Sequence, residues 1–207
     1  MNKPQFYDEA PNLSGDFVPL VPGGYICEIK KAVEQKAQKT GNPMLVLLLD
    51  IAEGDKKGYF QERFEKDTRQ EKKWGCVLRI VMDDPKKSEG ERKQMAGRLK
   101  GAITSIESSN PGFKYNWSEE TLKGKLVGAE FGLEEYLAQD GSTKTVNKVR
   151  RLRSVDSIRK GIDIPNVKLL NGTYISYDDY MEKIEEQKST EKDGEYITID
   201  DTDDLPF

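Results

Sequence analysis

Apolar residues recur along this chain with two different periods, and the change of period marks its organisation. After Pro22-Gly23-Gly24, residues Tyr25, Cys27 and Ile29 alternate with more polar partners through Lys31, which predicts a first strand. The polar, basic stretch from Glu34 to Thr40 closes at Gly41-Asn42-Pro43, which is turn chemistry. Met44 to Ile51 is a continuous apolar run bounded by breakers, too short for a helix and suited to a buried second strand. Gly54 to Gly58 then predicts a short hairpin loop, with a third strand over Tyr59 to Phe64 and an apolar strand from Cys76 to Met82 behind Trp74. Period two gives way to a helical period after Ser88, which with Glu91 forms a capping-box signature. Met95, Leu99, Ala102, Ile103 and Ile106 fall on one stripe of a helix of about 18 residues, ended by Asn110-Pro111-Gly112, and that stripe is read as core. A further turn, Ser118 to Leu122, stops at Gly124.

Alternation then returns. Val127, Ala129, Phe131 and Leu133 interleave with Gly128, Glu130, Gly132 and Glu134; Asp140-Gly141 supplies a hairpin turn, and Thr145 to Arg153 comes back as a fifth strand. The expected fold is mainly β with one long helix (α+β), in the order β-β-β-α-β-β. That is the order of an OB-fold, a five-stranded partly open barrel that binds oligonucleotides, and also of a small α+β sandwich. The expected boundaries are a loose leader over 1–16, an OB-like single-stranded DNA-binding domain over 17–155, an extension with a short helix capped by Ser176 over 156–185, and a disordered acidic tail over 186–207.

Charge sharpens this division. Residues 191–207 hold seven acids and one base, and removing that −6 from the chain's −4 leaves residues 1–190 at +2. Such asymmetry points to nucleic-acid work or to an interaction tail. No segment approaches the ~20 apolar residues that span a membrane, and no signal-peptide layout is present, so a cytoplasmic protein with no membrane partner is expected. Cys27 and Cys76 fit that compartment as reduced thiols. With no histidine and no Cys-x-x-Cys pair, zinc and Ser-His or Cys-His catalysis are not expected. No phosphate-cradling or nucleophile-elbow motif occurs. The acidic pairs Asp83-Asp84, Glu134-Glu135 and Asp178-Asp179 are adjacent, which on a strand sends the two side chains to opposite faces, away from a shared metal. A non-enzymatic protein without a cofactor is the expectation.

Single-strand binding needs a cationic groove for phosphates and ring faces for bases. Lys144, Lys148, Arg150, Arg151 and Arg153 crowd the fifth strand, with Arg159 and Lys160 beyond it. Strict alternation puts Lys148 and Arg150 on one face and Arg151 and Arg153 on the other, although one face of a barrel strand ordinarily points into the core. Tyr59, Phe60 and Arg63, with Lys72, Lys73 and Trp74, complete the candidate DNA-binding set, Trp74 being the best stacking candidate. Phe113, Tyr115 and Trp117 interleave with Lys114 as further rings, at least half of all these rings being expected in the core.

The final Asp203-Asp204-Leu205-Pro206-Phe207 resembles the acidic tip of bacterial single-stranded DNA-binding proteins, which ends in aspartates followed by Ile-Pro-Phe, with Leu205 in the isoleucine position. Gly23-Gly24-Tyr25 and Gly41-Asn42-Pro43-Met44, leading into an alternating leucine run, resemble a phage family of predicted single-stranded DNA-binding proteins over roughly residues 20–155. The resemblance implies a phage protein of DNA replication or recombination, acting in the host cytoplasm. It would coat single strands and dock helicase, primase, polymerase or repair enzymes on Asp203, Asp204, Leu205, Pro206 and Phe207. Two departures stand out: the linker is short and lacks Gly/Gln/Pro richness, and the body does not read like the bacterial ones. An annealing or mediator protein and a pure interaction adaptor are the alternatives, and a homo-oligomer is left open.

Overall fold

In the computed structural model the chain is described from residue 19 to residue 190. The alternating segments and apolar runs become β1 (Gly23–Lys36), β2 (Pro43–Ile51), β3 (Val77–Val81), β4 (Leu126–Leu137) and β5 (Thr143–Arg153). Between them lie α1 (Tyr59–Lys66), α2 (Glu89–Ser109) and a single 3-10 turn at Glu119–Leu122; α3 (Val155–Arg159), β6 (Val167–Lys168), β7 (Tyr174–Ile175) and α4 (Tyr177–Thr190) follow. The fold is mainly β with helices packed on one sheet, as the pattern predicts. The strands run β3-β2-β1-β4, with β5 on one edge of β4 and β6 then β7 beyond the other. β1 to β5 pair antiparallel with their neighbours, and β6 joins β4 in parallel at Glu134 and Lys168. The sheet does not close: no pairing joins β3 to β5 among the described residues.

One apolar cluster fills the concave side. Cys27, Ile29, Leu47, Leu49, Val127 and Phe131 from the sheet meet Leu99, Ala102 and Ile106 of α2. The predicted stripe of α2 is thus core apart from Met95 near its start and the half-buried Ile103, and the Ser88/Glu91 capping box forms as expected. Both cysteines are buried free thiols, which burial pushes up in pKa. Two bulges give the sheet its curvature. Register slips between Ile29 and Lys31, leaving Lys30 unpaired, and again opposite Glu130 and Phe131, leaving Arg150 unpaired. A bulge lets core residues three apart face the same way, which is how Ile29 with Ala32 and Val149 with Leu152 are buried together.

The third predicted strand is a correction. Tyr59 to Phe64 is helical, and the third strand of the meander is β3. Gly58 enters the helix at φ 76° with no side-chain cap of its own; the cap comes from Asp50 of β2, whose Oδ1 accepts from the Phe60 and Ile51 backbone N–H groups at 2.9 Å. A carboxylate there offsets the unpaired donors and the positive end of the helix dipole. The residues after β5 are continuous with the sheet. α3 and the segment behind it lie on the convex side of β1 and β4, and a Cβ on Gly128 would sit 2.5 Å from Ile158 and 2.8 Å from the Ser154 carbonyl. Ser176 caps α4 through the Asp179 N–H, as its sequence position predicts. No helix is long and apolar enough to cross a membrane among the described residues. The leader over 1–16 and most of the acidic tail, including Asp203 to Phe207, lie outside the described residues.

Asp50 is buried, and that burial pushes its carboxyl up while the N–H groups of Phe60, Ile51 and Gln61 pull it down. Replacing Asp50 by Ala strands buried donors, so urea unfolding of Asp50→Ala is expected to show a loss of about 1–3 kcal/mol. Asp50→Asn, which keeps an acceptor, should lose less; equal losses would remove the capping role.

Candidate nucleic-acid interface

The convex face of β4 presents Gly128, Glu130, Gly132 and Glu134, and the bulge at Arg150 decides what stands opposite them. Cα partners across an antiparallel pair share a face, and the pairs are Gly128 with Arg153, Glu130 with Arg151 and Gly132 with Lys148. The slip therefore brings Arg151 and Arg153 to the side that already holds Lys148. Strict alternation placed them on opposite faces; the structure corrects this, because the one unpaired residue reverses the parity of everything after it.

Glu130 is 5 % exposed, and one of its oxygens, Oε2, accepts from Arg151 Nε at 2.8 Å and from Arg153 Nε at 2.7 Å. Glu134 pairs with Lys148 at 2.8 Å and with Lys168 of β6 at 2.9 Å. Burial acts to raise both carboxyls, but the charged hydrogen bonds outweigh it and hold them below the usual carboxylate range. Arg150, the bulged residue, crosses Gly132: a Cβ there would lie 3.0 Å from its Nε. Its Nη2 donates to the Leu133 carbonyl, its guanidinium sits 5.8 Å from the centroid of the Tyr174 ring, and its buried Nε has no partner among the described residues. Tyr174, on β7, is 57 % exposed.

Glu130, Arg150, Arg151, Arg153 and Tyr174 border a concavity of about 640 Å³, walled on the far side by Ile162 to Asn166, with Asp163 its other acid besides Glu130. Five bases (Lys148, Arg150, Arg151, Arg153 and Lys168) stand against Glu130 and Glu134 on this face. Arg151 and Arg153 each engage Glu130 through Nε alone, so their terminal nitrogens are donors with no hydrogen-bond partner among the described residues. Such a face offers charged forks to a phosphate and an exposed ring to a base. Lys144 lies across from Tyr136 near the start of β5, farther along the same strand.

The remaining predicted residues gather elsewhere. Phe60 is 4 % exposed and stacks on Phe131, which faces the core, so it is no platform for a base. Tyr59 packs edge-on against Phe60 at 5.0 Å, and Arg63 lies 5.6 Å from the Tyr59 ring. Trp74 donates its indole N–H to the Leu49 carbonyl at 2.8 Å and leans on Phe64, which Lys72 covers at 5.8 Å, with Lys73 alongside in the chain. Trp74, the favoured stacking ring, is thus tied to β2. α1 and its neighbours belong to the concave side and the basic patch to the convex side, so the predicted set is two loci. Among the described residues Trp117 is the most open ring, 76 % exposed at φ 64°, but Tyr115 beside it feels Glu119 and Glu34 in addition to burial, an acidic setting for a phosphate.

Sequence reasoning missed Tyr174, Lys168 and the carboxylates that grip the bases. Asn171-Gly172, between Val167-Lys168 and Tyr174-Ile175, was the available signal, being a hairpin dipeptide between two segments that each carry a β-favouring residue. Among the described residues no group of three or more acids and cysteines is placed to hold a metal ion.

Because Glu130 and Glu134 are held below their unfolded value, they contribute stability that is present above about pH 4.3 and lost as pH falls through the folded value. Urea midpoints followed from about pH 6 to pH 3 should therefore drop, and should drop less steeply in Glu130→Gln/Glu134→Gln; identical slopes would refute the linkage. Compared with known proteins, the chain matches no family model and no curated protein.

Proposed function

We propose that this chain is a sequence-tolerant single-stranded DNA-binding protein of phage DNA replication or recombination, with an OB-type body and an acidic end that recruits partner proteins. The observation that carries the reading is the bulge at Arg150, which collects Lys148, Arg151 and Arg153 on one face beside the exposed Tyr174. The strand order β3-β2-β1-β4-β5 with a helix between the third and fourth strands supports it, being that of an OB-fold left open at one edge. Phosphates would meet the arginine forks, and a base stacked on Tyr174 would contribute about 1–3 kcal/mol. Contacts to phosphates and ring faces carry no sequence information, hence the tolerance.

The recruiting half of the proposal rests on sequence. Asp203 and Asp204 would pair with basic residues of a partner, while burying the Phe207 ring would contribute about 1.5–3 kcal/mol.

Anisotropy of a labelled oligothymidine, at two salt concentrations and against duplex, tests the body. Salt-sensitive binding that prefers the single strand is expected, and Arg151→Ala/Arg153→Ala should lower the slope of log K against log salt by about 1.4, two phosphate contacts being lost. Absence of binding at low salt would leave the adaptor alternative; strand annealing without added factors would favour the annealing one. Deleting residues 199–207 should leave DNA affinity equal or higher while abolishing recruitment, and a large loss of DNA affinity would defeat that assignment.

A further inference from the structure

The open edge of the sheet carries a second concavity, of about 770 Å³, between β3, α2 and β5. Its floor is apolar, with Ile80, Met95 and Leu152 from the three elements. Its rim is cationic: Arg79, Lys87, Arg98, Arg150 and Arg151 line it against one acid, Glu91. That acid is already committed, accepting from Lys87 Nζ at 3.0 Å and from the Ser88 backbone at 3.0 Å in the capping box. Arg150 and Arg151 border this groove and the Tyr174 concavity alike, so the two are continuous across β5.

Gly101 is the second pointer. It lies within α2 and lines the groove, and a Cβ there would meet nothing within 4 Å. Glycine inside a helix costs stability relative to alanine, and no neighbour in the fold requires its smallness. An open, smooth wall is what it provides, which matters to an occupant that lies close to the helix.

We infer that the groove is the second half of a single-stranded DNA track. On the DNA-binding reading, the strand leaves the Tyr174 concavity over Arg150 and Arg151, and its next bases lie on the half-buried Ile80 and Met95 while Lys87 and Arg98 meet its phosphates. The pairing of an apolar floor with a cationic rim selects this occupant. A duplex keeps its bases stacked inside and offers the floor nothing, whereas an unpaired strand offers ring faces and charge together.

The test uses the full chain and a labelled oligothymidine of about 20 nucleotides, longer than one OB-type site at the low end of the known range. Gly101→Leu, which narrows the groove at an open helix position, should bind at least tenfold more weakly while melting no lower than wild type. Lys87→Glu/Arg98→Glu should lose at least tenfold and show a shallower salt dependence, with unchanged circular dichroism. Wild-type affinity in both variants, with Arg151→Ala/Arg153→Ala impaired, would confine the strand to the Tyr174 concavity and overturn the inference while sparing the DNA-binding reading. Failure of the unaltered protein to bind oligothymidine at low salt would remove both. Binding of a peptide of residues 191–207, lost in Lys87→Glu/Arg98→Glu while oligothymidine binding persists, would show an acidic peptide to be the occupant and overturn it as well.

Discussion

A carboxylate at 5 % exposure on the convex face of a sheet has lost most of its hydration, and the two guanidinium groups on Glu130 replace it. Leaving such a charge unpaired costs several kcal/mol, and Arg151 and Arg153 both reach the same oxygen. They do so only because Arg150 is bulged out of register. The bulge in turn lays Arg150 across β4, where Gly132 gives it room, and against Tyr174, which joins the small β6–β7 hairpin to the same site. One irregular residue thus couples the charge on the face, the glycine beneath it and the position of the exposed ring.

Those ion pairs also shape how a strand would bind. Arginine presents five donors in a rigid fork, and each of these two spends one on Glu130. The guanidinium groups are held in place by a partner that does not consume their terminal donors, so less side-chain entropy is lost when a phosphate arrives. The negative charge of Glu130 works the other way, lowering the net potential of the face. A site built so binds less tightly than bare arginines would, yet in a more defined geometry.

What the sequence disclosed followed the local rules. Alternation marks β1, β4 and β5, a bounded apolar run marks β2, and the Ser88-x-x-Glu91 box and the apolar stripe mark α2, because in each case the signal lies within one element. Tyr59 to Phe64 misled for the opposite reason. Its aromatics favour a strand, and the cap that makes it a helix is Asp50, supplied by β2 from outside the segment. The bulge was illegible on the same ground, since register belongs to a pair of strands and only the partner reveals the slip. Strict alternation gives the basic residues of β5 the wrong faces, and with the faces go the carboxylates that hold them.

Occupancy of the concave side explains why the remaining surface lies where it does. Phe60 stacks on Phe131, α2 inserts Leu99, Ala102 and Ile106, and Trp74 is fastened to the Leu49 carbonyl, so the inner face of the sheet is spent on the core. Phe60 of α1 could become available to a ligand only by opening that core. The convex side is partly covered too, by α3 over Gly128, and the segment behind it forms the far wall of the concavity that the arginines line. What is left is the patch around Arg151 and the edge between β3 and β5, which no strand closes among the described residues. Both places adjoin β5, which combines a free edge with a cationic face.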